Sequence, residues 1–335
     1  MELLYAILLF IVGLALLIKG GDWFVDGASN IAKRRHLPEV LVGATVVSIG
    51  TTLPEVMVSA SAALAGHGEI AYGNAIGSII CNTALIAALT IAVRPGKTER
   101  RSLVLPVSFF LFSAVFYALV AYLTGQFSRV TGGVLLAIFV LYMVATVFQL
   151  KRSPVALPET TQEPAPAPDE KEEPAPRRHE TLFDILRIVI GAVAIAIGAD
   201  LLVDNGTLIA TKLGVPESVI ALTVVALGTS LPELVTAITA LAKGHSDLSL
   251  GNIIGANLFN LVLVSGIATL ISPFSVPSNT FAGGLNMSLT LEIPVMFGVM
   301  AVLCIPPLIG KRMYRWQGIG LLAVYLAFCM LQFVL

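Results

Sequence analysis

The chain has 335 residues, of which 56% are hydrophobic and only 12% charged, with a formal charge of −1 and a mean hydropathy of +0.90. A soluble domain carries roughly a quarter charged residues, so the composition excludes a water-facing globular surface. The basic residues are scattered through short segments, which excludes a nucleic-acid-binding stripe.

In chain order, apolar windows predict ten helical spans at about 3–28, 38–64, 70–91, 103–124, 130–150, 183–210, 217–242, 248–271, 287–309 and 317–335. Each approaches the roughly 20 residues that a bilayer crossing needs. The alternating pattern of a membrane barrel is absent, so the fold class is an all-α membrane protein. Met1-Glu2-Leu3-Leu4 has neither a basic stretch nor a cleavage signal, and the first window reads as a retained span. Asp22 and Asp26 in span 1 recur as Asp200 and Asp204 in span 6, and read as interfacial anchors or helix contacts. His67 and His245, at the ends of spans 2 and 7, read as loop or capping residues. Cys81, Cys304 and Cys329 have no paired or metal-type spacing and read as packing residues. Lys151–Glu180 is rich in Pro, Glu, Lys and Arg and cannot bury a core. A disordered linker over 151–181 therefore separates a first unit, 1–150, from a second, 182–335.

The two units repeat. With an offset of 178 positions, Gly20–Leu85 aligns without a gap with Gly198–Leu263, and 25 of the 66 pairs are identical. The densest matches are Gly50-Thr51-Thr52-Leu53-Pro54-Glu55 with Gly228-Thr229-Ser230-Leu231-Pro232-Glu233, and Gly73-Asn74-Ala75-Ile76-Gly77 with Gly251-Asn252-Ile253-Ile254-Gly255. Five spans per repeat is an odd number, so the second repeat lies upside down relative to the first. Counted from an outside N-terminus, cytoplasmic segments hold 17 of the 20 Lys and Arg residues and outside loops hold two, Arg129 and Lys212. That asymmetry predicts both termini outside and a cytoplasmic linker.

Glu55 and Glu233 fall in the middle of spans 2 and 7, where an ionised carboxylate is expensive. Pro54 and Pro232 remove a helical N–H and disfavour a helical Leu53 and Leu231. Both spans are therefore expected to break, the first near Gly50–Leu53, with loose carbonyls facing a cavity or an ion. Each proline also suits the first position of a resumed helix, which puts the glutamate where the helix dipole favours an anion. With Thr51, Thr52, Thr229 and Ser230, the two halves offer an oxygen-only cage of charge about −2, suited to a hard cation such as Ca2+, which takes roughly six to eight oxygens. The alternative is a proline kink whose glutamate is hydrogen-bonded inside the bundle; the inverted duplication argues against it. The Gly-x3-Gly patterns at Gly73/Gly77 and Gly251/Gly255 are expected to press spans 3 and 8 against the broken helices. Ser78 and Asn82 share one helical face, and Asn260 is the counterpart of Asn82. Asn74 and Asn252 read equally as packing or site residues.

At these residues the chain resembles the calcium/cation antiporter superfamily, whose repeats carry Gly-Thr-Ser-Leu-Pro-Glu followed by Gly-Asn-x-x-Gly-Ser-Asn. The pattern is that of its sodium/calcium-exchanger-like branch, including bacterial and archaeal inner-membrane members, rather than the proton-coupled branch with Gly-Asn-Ala-x-Glu. Carried over by position, the resemblance implies ligands from Glu55, Glu233, Thr51, Thr229, Thr52, Ser230, Ser78, Asn82 and Asn260, with backbone carbonyls of Ser48 and Ala226. It implies Ca2+ exchange for Na+ by alternating access, in a cell inner membrane, with no cofactor beyond the transported ions and no obligate protein partner. Thr52 replaces the first motif serine and keeps a hydroxyl; Ile79 replaces the asparagine of Gly-Ser-Asn; Ala256 loses a side-chain oxygen; and Asn260 stands where sodium-coupled members often carry Asp. These departures leave H+-coupled or K+-assisted exchange as the alternative. A channel fits two inverted repeats less well. No metal-binding His-Glu-x-x-His or Gly-x-Ser-x-Gly turn is present to make an enzyme.

Overall fold

The computed structural model describes residues 2–152, 178–213, 228–277 and 286–334. The described chain is helical: α1 Glu2–Arg34, α2 Glu39–Leu64, α3 Gly68–Val93, α4 Arg100–Thr124, α5 Arg129–Arg152, α6 Arg178–Lys212, α7 Leu231–Ala242, α8 Ser246–Ile271, α9 Ser288–Gly310 and α10 Arg315–Val334. Among the described residues, eight helices are long and apolar enough to cross a membrane, while α7 and α10 are shorter apolar helices. The linker expected at 151–181 and the start of span 7 fall largely on residues outside those described. Leu4, Tyr5, Leu8, Ile11 and Ile18 stand exposed on α1. Such an apolar outer face suits lipid rather than water.

Helix α1 runs past its predicted end because its last turn carries Lys33 and Arg34, which favour a helix C-terminus and lie outside an apolar window. It stops at His36, in the left-handed region at φ 50°, where the Leu37 N–H bonds the Ala32 carbonyl at 2.8 Å. The same closure ends α2 and α7. Gly66 and Gly244 sit at φ 83° and 84°, and the His67 and His245 N–H groups each bond back over five residues at 2.8 Å. Glycine suits this left-handed cap because it has no Cβ. Both histidines then occupy the N-cap positions of α3 and α8, without a side-chain cap bond.

Helices α1 and α6 cross with backbones in contact. A Cβ on Gly13 would lie 2.9 Å from the Gly198 carbonyl, and one on Gly20 would lie 2.9 Å from the Gly191 carbonyl. These two contacts exchange into one another under the 178-residue offset, since 13 + 178 = 191 and 20 + 178 = 198. Two small pairings join the loops: β1 (Gln126–Phe127) runs antiparallel to β2 (Phe274–Ser275), and Lys97 bridges Arg312. Among the eight long helices α8 is the most enclosed and α1 the least. Around α8 lie the largest buried side chains, including Tyr72, Tyr117, Tyr142, Phe110 and Phe259.

At the end of the bundle where α5 finishes and α6 starts, ion pairs gather. Arg34 pairs with Glu180 and, at 3.1 Å, with Asp184. Lys243 pairs with Asp26 at 2.7 Å and Asp22 at 3.2 Å, and His245 Nδ1 lies 2.8 Å from Glu39. Burial lowers the affinity of Lys243 for its proton, but Asp26 and Asp22 outweigh it and hold the ammonium above its ordinary range. Asp22 and Asp26 are thus helix contacts, as their position suggests. Asp200 and Asp204 are exposed and have no basic partner among the described residues.

Candidate ion-binding site

The break expected near Gly50–Leu53 is not there. Helix α2 is continuous through Pro54, and its irregularity lies one turn earlier as a π-helical stretch, Gly43–Val47. Pro54 still offers no N–H to the Gly50 carbonyl four residues back, so one carbonyl loses its helical donor without the helix opening. The second repeat differs. Helix α7 starts at Leu231 with Pro232 in its opening positions, so Glu233 lies in the first turn, as the proline reading requires.

Helix α2 is pressed against α8. A Cβ on Gly251 would lie 2.1 Å from the Val40 carbonyl, and one on Gly255 would lie 2.3 Å from the Ser48 hydroxyl and 2.6 Å from Ala44 Cα. This is the close approach that the second Gly-x3-Gly pattern predicts. For Gly73 and Gly77 the offset puts the partner positions at 218 and 222, outside the described residues. At the α2–α8 contact Ser48 Oγ donates to the Gly43 carbonyl at 2.8 Å and the Asn252 carbonyl at 2.9 Å. Thr51 Oγ1 donates to Asn252 Oδ1 at 3.2 Å. Asn74 Nδ2 donates to the Glu55 carbonyl at 3.2 Å and to Ser59 Oγ at 2.9 Å. Asn252 and Asn74 therefore act as braces beside the glutamates.

Glu55 and Glu233 are fully buried, at 0% exposure, and close enough for the charge of Glu233 to act on Glu55. Among the described residues none of their four carboxylate oxygens has a hydrogen-bond partner. The same holds for Thr52 Oγ1, Ser230 Oγ and both polar side-chain atoms of Asn82 and Asn260. Ser78 and Thr51 are buried, and Thr229 is half-buried. Nearly all the expected side chains thus lie in the bundle's interior, contributed by α2, α3, α7 and α8; Ala226 lies outside the described residues. Buried polar groups are ordinarily satisfied, and stranding one carboxylate costs on the order of several kcal/mol. A cluster of such groups is a place where a cation supplies the missing partner. Among the described residues no three His, Cys, Asp or Glu side chains gather. Other ligands to such a cation must therefore be hydroxyl, amide and carbonyl oxygens, the hard donors of a Ca2+ or Na+ site.

The sequence reading missed Thr236, fully buried with an unpartnered hydroxyl; its signal was the three-residue spacing from Glu233. It also passed over Asn257, whose Nδ2 donates to Thr83 Oγ1 at 2.7 Å and to Met300 Sδ at 3.2 Å.

Comparison with known proteins agrees with this arrangement. The family model for "Sodium/calcium exchanger protein" matches residues 5–148 and 183–334. The sodium/calcium exchanger MaX1 of Methanosarcina acetivorans is 32% identical over 97% of this chain and 98% of its own length. The inner membrane protein YrbG of Escherichia coli is 35% identical over 90% of this chain and 89% of its own. The solved sodium-calcium exchanger NCX_Mj superposes with a TM-score of 0.78 and 29% identity, covering 97% of this chain and 98% of that one. The chain belongs to the sodium/calcium exchanger family, within the calcium/cation antiporters.

Proposed function

We propose that the protein exchanges Ca2+ for Na+ across a cell inner membrane by alternating access to one midplane site between two inverted five-helix repeats. The observation that carries this is the fully buried pair Glu55 and Glu233, whose four oxygens have no hydrogen-bond partner among the described residues. One Ca2+ bridging them neutralises both, and Na+ ions occupy the same oxygens in its place. Ligands come from Glu55, Glu233, Thr51, Thr229, Thr52, Ser230, Ser78, Asn82 and Asn260, with the carbonyls of Ser48 and Ala226. Only loaded, charge-compensated states cross the apolar barrier, because a bare pair of carboxylates at the midplane resists it.

The inverted repeat is supported by the reciprocal Gly13–Gly198 and Gly20–Gly191 contacts. The loop pairings support it as well: Lys97 and Ser275 differ by 178, and each pairs with the loop that joins the last two helices of the other repeat. Helices α1 and α6, joined by smooth glycine surfaces at the bundle's periphery, are the moving elements. Both termini lie outside and the linker in the cytoplasm, in keeping with the basic residues Arg34, Arg94, Lys243 and Arg315 at the linker end.

Uptake of 45Ca2+ into proteoliposomes loaded with Na+, with K+, or with only a pH gradient tests the exchange. A Na+ gradient drives uptake, and lowering the pH weakens it because protons compete for the two glutamates. Uptake driven by a pH gradient and not by Na+ would establish the proton-coupled alternative, to which Asn260 in place of Asp lends weight.

A further inference from the structure

The inverted repeat keeps its acids but not its bases. Asp22 and Asp26 recur as Asp200 and Asp204. At the linker end they share a groove of about 700 Å3 with Lys19, Arg187 and Lys243. Under the 178-residue offset those three bases answer to Ile197, Leu9 and Ala65, none of them charged. The groove runs between α1, α6 and the C-terminal cap of α7, and Trp23, Phe183 and Ile190 form its apolar wall. These three side chains are exposed, Trp23 at 42%, and tryptophan favours the level of the lipid head groups. Lys243 is already engaged, with both Asp22 and Asp26. The other two bases are not. Lys19 Nζ is 69% exposed and stands 4.0 Å from Asp22, and Arg187 Nη1 stands 3.9 Å from Asp184, both beyond hydrogen-bond reach. The Arg187 guanidinium lies 4.6 Å over the Phe183 ring, which joins the cationic part of the groove to the apolar part. Three cations against two carboxylates leave the lining with one positive charge in excess.

We infer that this groove is the docking site of one anionic phospholipid of the phosphatidylglycerol class. Its phosphodiester lies between Lys19 and Arg187, whose planar fork suits two phosphate oxygens at once. The single negative charge of such a lipid balances the lining, whereas a zwitterionic lipid leaves the excess in place. The glycerol and the first acyl carbons lie against Trp23, Phe183 and Ile190, while Lys19 reaches the head group along its own apolar stem. At the opposite end Ile197, Leu9 and Ala65 offer a phosphate no cation, so the inverted repeat does not duplicate the site. The bound lipid spans α1 and α6 and reaches the end of α7. It therefore braces the two helices read above as moving against the helix that carries Glu233. Binding needs no ion gradient, so it stands or falls apart from transport.

Native mass spectrometry of the delipidated full-length protein, titrated with phosphatidylglycerol or with phosphatidylcholine of the same acyl chains, tests this. Wild type holds one phosphatidylglycerol under activation that strips phosphatidylcholine. Its affinity falls about fivefold for each cation removed in K19A and in R187A. R187K recovers part of the loss, and K212A, at the other end of α6, changes nothing. Melting curves separate binding from folding: without lipid K19A melts with wild type, and the rise that phosphatidylglycerol gives wild type shrinks in K19A. Equal retention of the two lipids overturns the inference, as does phosphatidylglycerol affinity unchanged in both K19A and R187A. Displacement of the lipid by inorganic phosphate would reduce the groove to a free-anion site, and the lipid assignment would be wrong. It would be wrong as well if wild type bound no phosphatidylglycerol while a variant with Glu170, Glu172 and Glu173 changed to Gln did, since the chain's own acidic segment would then fill the groove.

Discussion

Glu55 lies well inside α2, with helix on both sides, whereas Glu233 lies in the first turn of α7. The two carry the same Thr-x-Leu-Pro-Glu motif in register, so the motif alone does not choose between a helix that runs through its proline and a helix that starts there. Packing upstream holds the helix of the first repeat. In the first repeat, Val40, Ala44 and Ser48 are clasped against Gly251 and Gly255, and Ser48 and Thr51 bond to Asn252. Those contacts keep the backbone helical up to the proline. A proline is tolerated inside a helix at a cost of roughly 3 kcal/mol, which tight interhelical packing can offset. At the start of a helix it costs nothing.

The comparison is broken most severely at the carboxylates. Glu55→Gln and Glu233→Gln each abolish Ca2+ uptake while leaving a folded protein, because either change removes half the charge that one bridging Ca2+ needs. If one variant transported at the wild-type rate, the two halves would not share a site. Next in size is the clasp. In Gly255→Val the new side chain would meet Ala44 backbone and Ser48, and overpacking of this kind costs about 1–3 kcal/mol. The expected outcome is a lower thermal midpoint in detergent and poor folded yield; unchanged stability would show that the α2–α8 contact is looser than described.

Asn252→Ala sharpens the contrast between the braces. It strands the buried Thr51 hydroxyl and weakens the hold on Ser48, at about 1–3 kcal/mol. Asn74→Ala, at a partly buried position, costs less. Paired melting curves check the order, and an equal or reversed cost would remove the distinction between the halves. The smallest effect is at the two ends. Lys243 ties α7's end to Asp22 and Asp26, whereas its counterpart under the offset is Ala65, and Asp200 and Asp204 have no basic partner among the described residues. An exposed ion pair contributes about 0.2–1 kcal/mol. Lys243→Ala therefore lowers stability slightly at low ionic strength, and the loss vanishes in high salt; a loss that salt does not change would point to packing instead.

The helices, the repeat and the two central glutamates were legible because lipid imposes long apolar windows and makes a buried carboxylate conspicuous. The π-helical stretch at Gly43–Val47 was not legible. Nothing in Gly43-Ala44-Thr45-Val46-Val47 marks it, and it arises where α2 meets the glycines of α8, far away in sequence. Local chemistry pointed to a break at Pro54, and tertiary packing overrode it.

The central claim, that Glu55 and Glu233 together hold one Ca2+ which Na+ displaces, is tested most directly by calorimetric titration of Ca2+ into the purified protein in Na+-free K+ buffer. The account predicts one Ca2+ per chain, an apparent affinity that falls steeply as Na+ is added, and loss of the binding signal in both Glu55→Gln and Glu233→Gln. Ca2+ binding that persists in either variant, or that Na+ leaves unchanged, would contradict it.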